Sequence, residues 1–292
     1  VSSVAEFPTV AHVWLAQERR GARVHQIEAP AGTIDVGAYV DAIDERARIV
    51  SIPLGLYLTG HMPDVAPVVE RARAVGALVF CDAYQVAGAR SVDAPALGVD
   101  VLASGCVKYL LGTAGIAFAY VRPEAWASME PAVTGWFGRS EPFAYDPRRL
   151  DWADGARRLD TGTPPILPAY VARAALDELS ALGMAQVGEW TAALAEATRT
   201  GAAERGLSVL AAPRPGAPHT PTTSVLCHDV RGGSAGVEVS LRERGVLASA
   251  RGPVIRLSPH AYNTLDEVDV ALDALADLLI GAPRGASATP PA

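Results

Sequence analysis

Of the 25 lysine and arginine side chains in this 292-residue sequence, one is a lysine, Lys108. A guanidinium stays protonated and cannot condense with a carbonyl, whereas a lysine amine can lose its proton and attack one. The single side-chain amine sits in Ser104-Gly105-Cys106-Val107-Lys108-Tyr109-Leu110-Leu111-Gly112. Lysine-poor codon usage explains its scarcity but not its position. Upstream, the apolar run Ala77-Leu78-Val79-Phe80-Cys81 ends on Asp82, with Gln85 three residues on. A carboxylate at the end of an apolar strand is costly unless a cation or a donor meets it. A protonated ring nitrogen would be such a partner, and Gln85 could donate to a ring oxygen. Taken alone, Asp82 reads more readily as the cap of the next turn. Paired with Lys108 one strand later, it suits a cofactor that needs both an amine and an acid: the amine to form an imine, the acid to keep a ring nitrogen protonated. Ser104 and Thr113 could touch a phosphate or could serve only as turn residues.

The elements that position these residues follow from hydrophobic pattern. Val1–Val4 reads as a strand end, and a helical pattern runs from Val10 to Arg19. A strand is expected around Arg23–Ile27, a helix over Tyr39–Arg46 and a short buried strand over Arg48–Pro53. Asp64 can open a helix running to Val75, with Gly76 where a left-handed C-terminal residue belongs. Apolar strands at 77–81, 99–103 and 115–121 follow. Strand–helix alternation with fully apolar strands argues a mostly parallel sheet covered on both faces, and ligands bind at the carboxyl ends of such strands. Beyond Thr134 lie Gly135-Trp136-Phe137-Gly138 and a loop rich in Arg, Asp and Pro, then helices over 168–182 and 185–199. The last third reads as a smaller α/β unit: strands at 207–210, 223–228 and 254–258, a helix over 235–244, and a final helix opened by the capping box Thr264-Leu265-Asp266-Glu267 and stopping at Gly281. The reading is an α/β fold with a large domain over 1–175, a small C-terminal domain over 176–282 and a disordered tail over 283–292.

The stretches Cys81 to Gly88 and Gly98 to Gly112 together resemble the class V aminotransferase family of pyridoxal phosphate enzymes, which has the aspartate aminotransferase-like fold type I. The resemblance runs from Glu6-Phe7-Pro8 to the last helix, with its motifs in family order. It implies that Lys108 is the Schiff-base lysine, that Asp82 partners the pyridinium nitrogen and that Gln85 faces the ring's phenolic oxygen. Asp160-Thr161-Gly162-Thr163-Pro164 resembles the loop that reaches the phosphate on the neighbouring subunit, with Thr163 as donor, so the implied site is shared across a homodimer. Arg256, in Val254-Ile255-Arg256-Leu257-Ser258, resembles the arginine that grips the substrate α-carboxylate; a guanidinium does this bidentately. Trp136 resembles a loop tryptophan near the cofactor. The family's N-terminal phosphate-binding turn, and its usual ring-stacking aromatic or histidine, are expected to precede Val1, and a truncated record of a normal enzyme is the favoured explanation.

Among reactions, the desulfurase branch needs a cysteine on a loop shortly before Arg256, and Leu247 to Pro253 contains none. Leu56-Tyr57-Leu58-Thr59-Gly60 and the Trp136 loop lean toward kynureninases, while Val107 stands where those enzymes usually carry Tyr. The expected function is a pyridoxal phosphate-dependent aminotransferase or lyase acting on a small amino acid. A kynureninase-like hydrolase, a cysteine or selenocysteine lyase without a catalytic Cys, and a non-catalytic binding protein of the same fold are the alternatives. Net charge is −7 and no basic run stands out, which argues against nucleic acid. Apolar runs are too short to span a membrane, no signal-peptide pattern opens the chain, and Cys81, Cys106 and Cys227 show no disulfide or metal spacing. A cytoplasmic location is expected.

Overall fold

The structure, a computed structural model, describes residues 1–126, 129–211, 217–228, 230 and 232–281. The expected tail over 283–292 lies outside the described residues. The first half builds a two-stranded and a four-stranded sheet that meet edge to edge at Val1. Strands β1 (Ser2–Ser3) and β2 (Gln26–Ile27) pair in parallel. Strand β3 (Ile49–Pro53) joins β1 through Val1, whose ammonium donates to the Ile49 carbonyl at 2.9 Å and whose own carbonyl accepts from the Ser51 N–H at 2.9 Å. β3 then pairs in parallel with β4 (Leu78–Asp82), β4 in parallel with β5 (Val101–Gly105), and β5 antiparallel with β6 (Ala117–Val121).

Helices α1 (Pro8–Leu15), α2 (Val36–Ala42) and α3 (Ala66–Ala74) connect and cover these strands. α2 starts earlier than the expected Tyr39 because the Asp35 carboxylate accepts from the Gly37 and Ala38 amides at 2.9 and 3.3 Å, a side-chain cap that fixes the helix start. Its Tyr39 is fully buried and donates to the Ser51 carbonyl at 3.0 Å. A core of Ile43, Val50, Ile52, Val68, Ala72, Val79 and Cys81 fills the space between sheet and helices.

After the short helices α4 (Ala94–Leu97) and α5 (Pro123–Trp126), the long helices α6 (Ile166–Leu182) and α7 (Met184–Glu204) lead into the C-terminal unit. The expected domain boundary at 175/176 falls inside α6, which is one uninterrupted helix. The C-terminal sheet has the order β7 (Thr223–Leu226), β9 (Val254–Leu257), β8 (Ser249–Arg251), all antiparallel, packed by α8 (Gly233–Glu243) and α9 (Leu265–Leu279). Leu194, Leu241, Ile255, Leu272 and Leu275, all buried, form its separate core.

Two expectations fail here. The segment 207–210 is not a strand and contributes only an isolated bridge, Val209 to Val225. The stretch before Arg256 contains β8, in a hairpin that turns at Gly252 and Pro253. The Thr264–Glu267 capping box is present as read.

Candidate active site

Three chain segments leave the sheet at its carboxyl edge and converge. Asp82 is the last residue of β4, Lys108 lies three residues beyond the end of β5, and Glu6-Phe7 follow the end of β1. Parallel strands β1, β3, β4 and β5 all run toward this edge, which is where an open α/β sheet binds ligands.

Lys108 sits on a tight turn. Its carbonyl accepts from the Leu111 N–H at 2.8 Å, and the Cys106 carbonyl accepts from the Gly112 N–H at 2.8 Å. The turn directs the amine over two aromatic rings, 4.4 Å from the Tyr84 ring centre and 5.2 Å from that of Phe7. Tyr84 can lie this close only because residue 105 is glycine: a Cβ there would run into the phenol ring. The amine is held down to about 8, first by burial and then by the positive charge of Arg256, while the Asp82 carboxylate pulls the other way.

Among the described residues the Asp82 carboxylate accepts one hydrogen bond, from the Tyr84 amide at 2.8 Å. Burial raises its carboxyl above the usual carboxylate range, and that amide and the Lys108 charge oppose the rise. Gln85 is 4% exposed, and its Nε2 has no hydrogen-bond partner. A buried amide donor without an acceptor costs free energy of about 1–3 kcal/mol unless a ligand completes it.

Arg256 reaches the same region from the C-terminal unit. Its guanidinium donates to the Tyr57 carbonyl at 2.9 Å, its Nε is buried without a partner, and among the described residues it makes no ion pair. Burial lowers its pKa. The two units meet around it. The Tyr109 hydroxyl lies 3.0 Å from the Thr222 hydroxyl, its ring stacks on His260 at 5.4 Å, and His260 Nε2 lies 2.9 Å from the Gly88 carbonyl. Gly88 has φ +92°, and a Cβ there would overlap the Tyr109 carbonyl, so the close approach of these segments requires glycine.

Lys108, Asp82 and Arg256 are thus brought within electrostatic reach of one another, and Gln85 follows Asp82 by three residues. Ser104 is buried close by, but its hydroxyl is spent on the Gly105 carbonyl at 3.1 Å. Trp136 and Thr163 do not join within one chain. Trp136 packs on Phe137, Phe143 and Tyr145 in a surface aromatic cluster, and Thr163 is exposed. Their two loops do touch each other, since Gly135 lies so near the Thr161 carbonyl that no side chain would fit between them.

Sequence reading missed Phe7 and Glu6. It expected the ring-stacking aromatic to precede Val1, yet an aromatic ring stands beside Lys108 within the chain. The available signal was position: Glu6-Phe7-Pro8 follows a strand end on the same sheet edge that carries Asp82 and Lys108.

The three cysteines are buried and free, and burial raises the pKa of each thiol. Among the described residues no cluster could hold a metal ion and no helix is long and apolar enough to cross a membrane. A cavity of about 600 Å³ lies elsewhere, lined by Trp14, Arg23, His25, Arg46 and Arg48 among others, and includes none of the residues around Lys108.

The family pattern described as Aminotransferase class-V matches residues 1–270. The chain belongs to the class V aminotransferases. It is 35% identical over 277 residues to the uncharacterized aminotransferase YcbU of Bacillus subtilis (strain 168), covering 93% of this chain and 70% of that protein. It is 32% identical over 247 residues to the kynureninase of Pseudomonas fluorescens, covering 82% of this chain and 58% of that enzyme. In fold it is similar to the apo cysteine desulfurase of Thermococcus onnurineus NA1, with a TM-score of 0.86, 22% identity and coverage of 96% and 72% of the two chains. It is likewise similar to the cystine C–S lyase C-DES solved with its product cysteine persulfide, with a TM-score of 0.84, 22% identity and coverage of 95% and 74%. This class V chain therefore has the fold type I architecture of pyridoxal phosphate enzymes.

Proposed function

We propose that this chain is the catalytic part of a pyridoxal phosphate-dependent aminotransferase or lyase that acts on the α-amino group of a small amino acid, with Lys108 as the residue that bears the cofactor. The observation that carries the reading is the set of unmet groups around one amine: the buried Asp82 carboxylate, the unpartnered Gln85 amide and the unpaired Arg256 guanidinium, all around Lys108. These groups fit the cofactor. Asp82 would hold a pyridine N–H, Gln85 Nε2 would donate to the phenolic oxygen, and the Phe7 ring would wall the ring site. Ser104 and Thr163 are the phosphate candidates, with Thr163 supplied across a dimer.

When bound, the cofactor supplies an electron sink for the pair released at the substrate Cα. Arg256 clamps the substrate α-carboxylate and so fixes which Cα bond faces that sink. Lys108, depressed to about 8, has a substantial neutral fraction near neutral pH and takes the Cα proton as general base. Asp82, once paired with a ring N–H, would stay ionised and would keep that ring nitrogen protonated. Buried Cys81, Cys106 and Cys227 leave no thiol for a persulfide step in this chain.

Homodimerisation is part of the reading. Phe143, Tyr145, Leu150, Ile166, Leu167 and Tyr170 are all more than half exposed and flank Thr163 and Trp136. An apolar surface of that kind suits a second copy of the chain, which would bring Thr163 and Trp136 to the partner's Lys108 region. Division into units at 1–175 and 176–282, and residence in a reducing compartment such as the cytoplasm, belong to the same proposal; the free thiols support the second.

A kynureninase-like hydrolase is the second reading, favoured by the 32% identity to the Pseudomonas fluorescens enzyme. Incubation with pyridoxal phosphate and a panel of amino acids, kynurenine included, tests both. A new absorption band near the visible edge that is lost in Lys108→Ala supports the enzyme. The products then choose the reaction: keto acid, ammonia, sulfide, or anthranilate with alanine. Absence of any band with cofactor supplied would leave a binding protein of this fold.

A further inference from the structure

The most conspicuous group that the proposed chemistry leaves unused is Glu6. It follows β1 beneath the carboxyl edge of the sheet and is 2% exposed. One carboxyl oxygen accepts from the Ser51 hydroxyl at 2.6 Å, and the other is buried with no partner at all. No cation faces it. The titratable groups packed around it are Asp82 and Cys81 of β4 and Tyr39 of α2, and all three would add negative charge if ionised. The Tyr39 and Cys81 groups are themselves raised by burial and stay neutral near pH 7. That leaves Asp82 as the neighbour whose negative charge opposes ionisation of Glu6. Two carboxylates close together in a dry site cannot both ionise at low cost.

We propose that Glu6 is the proton-holding partner of Asp82: its carboxyl is protonated while no cationic ring sits on the Asp82 carboxylate, and it releases that proton to solvent when such a ring docks there. This rests on the proposed role of Asp82. The balance is simple, since an O–H bond at Glu6 breaks and the proton passes to water or buffer, with no electrons moved. The Glu6 carboxyl is raised to about 7, by burial first and by the Asp82 charge last, while the Ser51 hydroxyl lowers it. Pairing Asp82 with a cation removes the repulsive part and lets Glu6 ionise in the neutral range. Glu6 is thereby a positioning residue: while protonated it adds no second negative charge beside Asp82 before the ring enters.

The test is binding of pyridoxamine phosphate, which carries the pyridine ring and phosphate but no aldehyde, so Lys108 forms no bond to it. Titration calorimetry at pH 7 in two buffers of different ionisation enthalpy gives the protons released per site. Lys108 and the ligand phosphate contribute alike in wild type and Glu6→Gln, so the difference isolates Glu6. Glutamine keeps the acceptor for Ser51 and mimics the protonated form. The expected result is a fraction of one proton more released by wild type than by E6Q, with wild-type affinity rising more steeply from pH 6 to 8. Ser51→Ala should move that pH window upward, because it removes the bond that favours the ionised form. Equal proton release and parallel pH profiles in wild type and E6Q overturn the proposal, even if E6Q melts at a different temperature. If Asp82→Asn leaves pyridoxamine phosphate binding unchanged, the role of Asp82 fails and this inference fails with it.

Discussion

Arg256→Met separates a substrate clamp from a structural arginine. The guanidinium is largely buried, donates one hydrogen bond to the Tyr57 carbonyl at 2.9 Å, and has a buried Nε with no partner and no counter-charge. A structural arginine at such a site would be matched by a carboxylate, as Arg122 is by Asp100 at 2.6 Å. Methionine has similar length and removes both the charge and its desolvation cost. The fold loses one charge-assisted bond to a carbonyl, about 1.5–3 kcal/mol, and regains part of that by no longer burying an unpaired cation. Net stability should change by about 1 kcal/mol or less. The substrate α-carboxylate, by contrast, loses a bidentate partner in a dry site, at a cost of about 2–5 kcal/mol, or roughly 30-fold to several thousand-fold in kcat/KM. The assay compares an amino acid with the corresponding amine lacking the carboxylate, in wild type and R256M, alongside thermal melts. The loss should appear for the amino acid and be nearly absent for the amine. Equal losses for both substrates, or a large fall in melting temperature with kcat/KM retained, would refute the reasoning.

Asp82→Ala should lower turnover at least about 100-fold while leaving stability nearly unchanged, because the folded state already penalises that carboxylate; turnover assays and melts check both halves. In cofactor-free protein, Lys108 should react with an amine-directed reagent along a titration curve near pH 8, because its amine is held down to about 8; a midpoint near that of an ordinary lysine would contradict the burial described. The linkage signs are opposite for the two buried groups. Lys108 binds its proton less tightly when folded, so its contribution to stability rises with pH between about 8 and its unfolded value of 10.5. Glu6 binds its proton more tightly when folded, so its contribution is full below the unfolded value of 4.5 and is lost as pH rises through about 7, a slope that Glu6→Gln should remove in denaturant melts. Gly88→Ala should destabilise by about 2–5 kcal/mol, since the residue has φ +92° and its Cβ would overlap the Tyr109 carbonyl.

The residues that carry the proposed chemistry were legible where sequence pattern and chemistry coincide. Asp82 ends an apolar strand and Lys108 is the sole lysine, so strand position and amine chemistry pointed to the same edge of the sheet. The long helices α6, α7 and α9 were legible from periodicity, and α9 from its capping box as well. Glu6 and Phe7 were not, because their significance is entirely non-local. Glu6 meets Ser51, 45 residues away, and Phe7 meets Lys108 across the sheet. The strand end at Val1–Val4 was legible, but a two-residue strand such as β1 is too short to show a period that would tie the turn after it to the edge carrying Asp82 and Lys108. β8 escaped for the same reason: three residues in a hairpin carry no alternation that could be told from a loop. In the proposed dimer the places of Trp136 and Thr163 depend on a second copy of the chain, and a single sequence shows only that their loops are polar and aromatic.

The most direct measurement exploits the scarcity of amines. The sequence holds a single lysine, so its side chains offer one primary amine, the ε-amine of Lys108. Protein incubated with pyridoxal phosphate, reduced with borohydride, digested and analysed by mass spectrometry should carry one cofactor mass on the peptide containing Lys108, with full occupancy at modest cofactor concentration. A cofactor mass found only on other peptides, or on none, would contradict the central claim.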